Sequence, residues 1–275
     1  MPGVKPIIFQ DAMVRALLEG RKTQTRRVMK PQPPTDEYQI SYVAESTDRR
    51  DEGKRYWVKV DGLQIKDRFG PISSPPGQPG DLLWVREACR AEELDDSYGP
   101  IHEDSDPNFH AGLDGVRYLA DKEFRKIENS RSASDAWSRL HDYGTAEPPK
   151  AGNRVPSIHM PRWASRLTLR LTDVRVERVQ EVSEGDAEAE GVQTLGPKEN
   201  VFPLKGGDKR HWRERGFESD AQCLFSDLWG SINASKGYGW DANPWAWVLE
   251  FQVIHANVDQ VLKDPAAYGV QETAP

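Results

Sequence analysis

The chain has 275 residues, is 37% hydrophobic and 29% charged, and carries a formal charge of −7. That length is ample for a real core in one elaborated domain or two small ones, and the acidic balance argues against wrapping a long duplex while permitting a local basic groove or a small nucleotide pocket. Two distant cysteines, Cys89 and Cys223, exclude a disulfide framework or a cysteine zinc site, and no apolar run reaches the roughly 18 residues of a membrane span, so a cytoplasmic protein without membrane contact is expected.

Lys5 to Phe9 reads as a first strand. Asp11 is placed to cap a helix whose Met13, Val14, Leu17 and Leu18 share one face, and Gly20 ends it. Strand character resumes from Thr23 to Val28. From Pro31 a polar, proline-bearing segment begins, with strand-like pieces near 38–44 and 56–60, and Asp61-Gly62 signals a hairpin into Leu63–Lys66. Leu82 to Glu87 is an apolar run expected as a buried strand, and Val116 to Ala120 as another. Between Arg166 and Val179 the apolar residues Leu167, Leu169 and Leu171 alternate, then change parity to Val174 and Val176. A phase change at Thr172-Asp173 predicts a bulge or sharp bend.

Ser183-Glu184-Gly185-Asp186 resembles a capping box, opening a short helix that stops at Gly191. From Asp220 an amphipathic helix places Ala221, Leu224, Phe225, Leu228, Trp229 and Ile232 on one face. Trp245 to Ile254 closes the pattern as a strand. The predicted architecture is α+β, a small mixed β-barrel flanked by helices. It forms a single domain over 1–256, with insertions at 31–79, 91–153 and 193–219 and a loosely ordered tail from 257 to 275.

Chemistry concentrates in Gly20-Arg21-Lys22-Thr23-Gln24-Thr25-Arg26-Arg27, which holds four cations and two threonines in eight residues with no acid. A lysine becomes a base near neutral pH only when burial or neighbouring cations lower its pKa, and Arg21, Arg26 and Arg27 are such neighbours. A flat strand would set Lys22 and Thr25 on opposite faces, so joint chemistry requires a turn between Gly20 and Thr23. The ordinary alternative is a basic surface edge.

Glu184, Asp186 and Glu188 are expected on a solvated helix face. Glu190 differs, because an acid in the last turn opposes the helix dipole and calls for a nearby cation, which the 20–27 stretch can supply. Arg162 and Trp163, in the run His159 to Arg166, suit phosphate contact and base stacking, against the alternative of a packed tryptophan and paired arginines. Trp212 has similar surroundings. The six histidines are scattered, His102 and His110 falling in an acidic loop, so no metal and no cofactor is expected.

Several of these stretches together resemble the ASCH family, whose fold is similar to the PUA domain. They are the Gly-Arg-Lys-Thr-x-Thr turn after the first helix, Gly80-Asp81-Leu82-Leu83-Trp84-Val85-Arg86-Glu87, the bent strand, and the helix ending Ala187-Glu188-Ala189-Glu190-Gly191. Pro156 to Trp163 and Trp240 to Trp245 look like the long phage and prophage form. The resemblance spans about 5–30, 80–90, 154–192 and 220–254. It implies a cleft beside the first helix that binds RNA or a modified base. It also implies an amidohydrolase acting on N4-acetylcytidine in some members, with Lys22, Thr25 and Glu190 matching the catalytic lysine, threonine and glutamate. Arg21, Arg26, Arg27, Arg162 and Trp163 are then the expected substrate or nucleic-acid contacts. The partner would be a nucleoside or single-stranded nucleic acid, bound with or without chemistry. A third expectation is a phage assembly or host-takeover protein acting through its inserts.

Overall fold

The longest pairing in the protein joins β10 (Thr168–Arg178) to β11 (Trp245–Ile254), antiparallel. Their register runs from Thr168 opposite Ile254 to Leu171 opposite Phe251, and resumes with Asp173 opposite Glu250. Thr172 is therefore one extra residue on β10. This bulge is the physical form of the parity change, because an inserted residue moves every later side chain to the other face.

The computed structural model describes residues 2–43, 53–73, 75–93, 114–126, 139–140, 154–193, 213 and 216–270. The chain is mixed α+β, with three small sheets and few helices among these residues. The central sheet has the order β1-β6-β10-β11-β2, with β1 at Val4–Ile8, β2 at Gln24–Val28 and β6 at Leu82–Arg86. β1 lies parallel to β6 and the other pairings are antiparallel. Leu82, Leu83 and Val85 are fully buried on β6, as a continuous apolar run in an interior strand requires.

Helix α1 (Asp11–Leu18) carries the chain from one edge of this sheet to the other and buries Met13, Val14 and Leu17. Gln10, not Asp11, is its N-cap residue; Asp11 sits in the first turn, where an acid suits the dipole. No backbone pairing joins β1 to β2 among the described residues, so the sheet stays open along that seam. The Arg27 side chain spans it, donating to the Ile8 carbonyl at 2.8 Å.

Within residues 31–79 lies a second sheet, β3-β4-β5 (Gln39–Tyr42, Arg55–Asp61 and Gln64–Ile72). Its anchor is Trp57, fully buried, 5.8 Å from the Trp245 ring and donating from Nε1 to the Pro31 carbonyl at 2.8 Å. A side chain of that size contributes about 2–3 kcal/mol on burial. The third sheet is β7-β8-β9 (Cys89–Glu93, Asp114–Tyr118 and Phe124–Lys126). It packs with Val155, Met160 and Ala164, and the Tyr118 hydroxyl donates to the Ala164 carbonyl at 2.8 Å. Most of the expected insertions at 91–153 and 193–219 lie outside the described residues.

Helix α2 (Glu184–Ala189) packs against β2 and against α3 (Asp220–Asn233), whose buried face is the one predicted. Residues 257–270 differ from the loose tail expected over 257–275, whose last five residues lie outside the described residues. Asn257 caps a short helix α4 (Val258–Lys263) and its side-chain amide donates to the carbonyls of Arg162 and Ser165 at 2.8 and 2.9 Å. Val258 and Val261 are fully buried against Leu82 and Trp84. Two valines three apart suffice to dock one turn of helix onto an exposed apolar strip.

Candidate functional site

The site begins with two helix ends brought together by glycines. Gly20 adopts φ +72° and turns the chain so that the Arg21 and Lys22 amides both donate to the Ala16 carbonyl, at 2.9 and 3.0 Å. This is the turn that joint chemistry of Lys22 and Thr25 requires. Across from it, Ser183 and Asp186 form a capping box that starts α2, and Glu190 is its C-cap. Gly191 follows at φ +90°, and a Cβ there would stand 2.8 Å from the Ala16 Cβ and 3.0 Å from the Lys22 Cβ. Only glycine lets the ends of α1 and α2 approach this closely. Lys22 and Glu190 then pair through their backbones as an isolated antiparallel bridge.

The side chains follow the backbones. Lys22 has no exposed surface, and its Nζ donates to Glu190 Oε2 at 2.7 Å, the Glu190 carbonyl at 2.7 Å and the Gln24 carbonyl at 2.8 Å. Three acceptors match the three hydrogens of an ammonium. Burial pulls the Lys22 pKa below the ordinary lysine value; Glu190 opposes the shift, and Arg27 and Arg26 deepen it. The acid that was locally misplaced at the end of α2 has its compensating cation.

Arg26 stands beside this pair, on the cavity side. Its guanidinium donates from Nη2 to Glu177 Oε2 at 2.8 Å and stands 3.3 Å from Asp186 Oδ2 and 3.6 Å from Glu190 Oε1. Asp186 thus departs from the solvated face expected for it, whereas Glu184 and Glu188 are exposed. Burial opposes ionisation of Asp186, but Ser183 and Arg26 outweigh it and hold the carboxyl below its usual range. Four buried polar atoms here have no hydrogen-bond partner among the described residues: Glu190 Oε1, Arg26 Nε and Nη1, and Gln24 Nε2. Each such orphan costs roughly 1–3 kcal/mol, so a cluster of them marks unused binding capacity.

The capacity opens onto a cavity of about 210 Å³ between β2 and α3. Thr25, Arg26, Arg27 and Val28 line one side together with Glu190. Phe225, Leu228, Trp229 and Ile232 of α3 form an apolar wall, and Lys30, Lys236 and Tyr238 complete the lining. The Arg26 guanidinium lies 5.6 Å from the Phe225 ring centroid.

Of the residues expected to act together, the structure gathers Lys22, Thr25, Glu190, Arg26 and Arg27. Lys22 lies behind Glu190 rather than on the cavity surface. Arg21 is turned away, donating to the Gly191 carbonyl and to Glu19, both at 2.7 Å. Arg162 and Trp163 are elsewhere. Arg162 pairs with Asp259 at 2.6 Å, and Trp163 packs on the cluster around Tyr118 and Met160, so neither lines the cavity. Trp212, His102 and His110 lie outside the described residues.

Sequence reasoning missed Gln24, Lys30, Lys236, Tyr238 and the apolar wall as parts of the site. The wall belongs to the apolar face of α3, which also packs in the core, and Lys236 and Tyr238 flank Gly237, which adopts φ +82°. No group of three metal-type side chains lies together among the described residues, and no helix among them is long and apolar enough to cross a membrane.

In comparison with known proteins, no family model, curated protein or solved structure matches the chain.

Proposed function

We propose that the chain is an ASCH/PUA-like protein whose cavity takes the base of a modified nucleoside, and that it removes an acyl group from the N4 nitrogen of a cytidine-type substrate. One observation carries the reading. Glu190 Oε1, an acceptor, and Arg26 Nη1, a donor, both without a hydrogen-bond partner among the described residues, stand 3.6 Å apart on two residues that line the cavity together with Thr25. A planar N–H/C=O or N–H/ring-nitrogen edge offers the complementary donor and acceptor at such a spacing. The apolar wall of α3 suits a flat ring. The strand–helix–strand opening, the bulged β10 and the near-closure of the sheet by Arg27 and Ile8 support a PUA-like arrangement.

In the reaction, proton transfer across the 2.7 Å Lys22–Glu190 contact converts the ion pair into a neutral amine and a carboxylic acid. The Thr25 hydroxyl oxygen attacks the acyl carbon and its proton passes to Lys22. The C–N4 bond breaks, N4 takes the proton held by Glu190, and the acyl group remains as a Thr25 ester. Water hydrolyses that ester, releasing the carboxylic acid and restoring the hydroxyl.

A second reading, a module that binds RNA or modified DNA without chemistry, is favoured by one specific fact. All three Lys22 hydrogens are committed to Glu190 and Gln24, and no hydrogen bond joins Lys22 to Thr25 among the described residues. Incubation with N4-acetylcytidine, followed by chromatography for cytidine, separates the two. Turnover that Thr25→Val abolishes, with circular dichroism unchanged, supports the hydrolase. Absence of turnover together with salt-dependent oligonucleotide binding leaves the binding module.

A further inference from the structure

We infer that the ligand of this cavity carries a phosphate, and that Lys30 and Lys236, with Arg27 beside them, hold it at the mouth. The inference rests on the reading that the cavity takes a base, and it adds that a bare nucleoside is not the preferred form.

The charge balance of the cavity is the starting point. Four cations line it, Arg26, Arg27, Lys30 and Lys236, against the single acid Glu190, in a chain whose formal charge is −7. Arg26 is already neutralised by Glu177, Asp186 and Glu190. Arg27 spends one nitrogen on the Ile8 carbonyl and lies 5.0 Å from the Phe9 ring centroid. Lys30 and Lys236 are exposed, and neither makes an ion pair among the described residues. A lysine at the C-terminal end of a helix is ordinary, because it complements the dipole. That accounts for Lys236, which follows α3, but not for Lys30, which comes from the end of β2 on the opposite side. The Tyr238 ring, also in the lining, has its centroid 5.7 Å from Lys30 Nζ. Two ammonium groups from separate elements, neither with an ion-pair partner among the described residues, thus face one opening.

Size points the same way. About 210 Å³ is below the roughly 300–1,000 Å³ of pockets that enclose drug-sized ligands. The cavity accommodates a base but not a base with its sugar and phosphate. With the base edge on Glu190 and Arg26, the sugar and phosphate fall outside, where the lysines are. Lysine binds phosphate as a mobile point charge, which suits a group at an open mouth. The 5′-phosphate of a free nucleotide and the phosphodiester of a single strand present the same chemistry there.

The test measures binding of N4-acetylcytidine, its 5′-monophosphate and a short single-stranded RNA containing that base. Each is titrated at low and high salt against the wild type and the exposed-site variant Lys30→Gln/Lys236→Gln. The monophosphate is expected to bind about tenfold or more tighter than the nucleoside at low salt, with the preference shrinking in high salt. In the double variant the preference falls to about twofold or less. If the RNA exceeds the monophosphate and depends equally on the lysines, the phosphate belongs to a strand; if it does not, the free nucleotide is the ligand. Equal affinity for nucleoside and monophosphate overturns this inference and leaves the base pocket standing. A phosphate preference that survives in the double variant overturns the assignment to these lysines. Failure of all three ligands to bind overturns the base pocket and this inference together.

Discussion

Arg166 and Arg26 are both buried and both face three carboxylates, yet only one of them is finished as a structure. Arg166 donates from Nε and Nη2 to the two oxygens of Glu87, both at 2.9 Å, and reaches Asp121 at 2.8 and 3.0 Å as well as Glu123. Its guanidinium carbon lies 3.9 Å from the centroid of the Tyr118 ring. All three guanidinium nitrogens are used. Arg26 has one nitrogen in a 2.8 Å hydrogen bond, to Glu177, while among the described residues Nε and Nη1 have no partner and Glu190 Oε1 opposite is equally unused. Charge compensation is similar in the two places. Hydrogen-bond completion is not, and it separates a cluster that holds the fold from one that can hold a ligand.

The difference can be broken deliberately. Removing the Arg166 partner, Glu87→Ala, should have the largest effect. It leaves a buried guanidinium without its bidentate carboxylate and is expected to cost about 3–5 kcal/mol in chemical denaturation. Nucleotide affinity of the remaining folded protein should be unchanged, and a parallel loss of affinity would mean that the two clusters are not separable. Arg26→Lys keeps the charge but loses the planar fork. It is expected to cost about 1 kcal/mol of stability and about tenfold in ligand affinity, read by the same two measurements. Unaltered affinity would remove Arg26 from the base-reading edge.

The smallest effect is on pH dependence. In the folded protein Lys22 titrates below its ordinary 10.5, so between the folded value and 10.5 the unfolded chain holds the extra proton. Stability from this site therefore rises with pH across that window and is lost as pH falls through the folded value. Relative to Lys22→Met/Glu190→Gln, the wild type should gain stability as pH rises towards 10.5, with a slope of at most about 1.4 kcal/mol per pH unit. A difference that stays flat across that range would show that Lys22 is not perturbed in the folded state.

Much of this was visible in the order of residues. The strand Trp245–Ile254 and the buried face of α3 follow from period-2 and period-3.6 patterns, and the bulge at Thr172 from a parity change within one strand. Glu190 was conspicuous because an acid at a helix end is locally unfavourable, and the nearby cationic stretch without acids was the natural partner. The docking of α4 rested on one cap and two valines, too short a signal to rise above a polar tail. Arg162 and Trp163 carried the composition of a nucleic-acid contact, but composition does not say which side of the sheet a segment crosses.

Local periodicity and local electrostatic misfit belong to the sequence, since both depend on residues a few positions apart along a regular backbone. Which cation meets which acid, and which hydrogen-bonding atoms are left over, was decided by the tertiary structure. Lys22 and Glu190 are 168 positions apart, and a few tenths of an ångström distinguish a hydrogen bond at Arg26 from an unused pair. Such distances are set by how α1, α2, α3 and β2 pack as solid bodies. They follow from the close approach at Gly191, the bulge that bends β10, and the wall of α3 standing off from β2 by the width of a cavity.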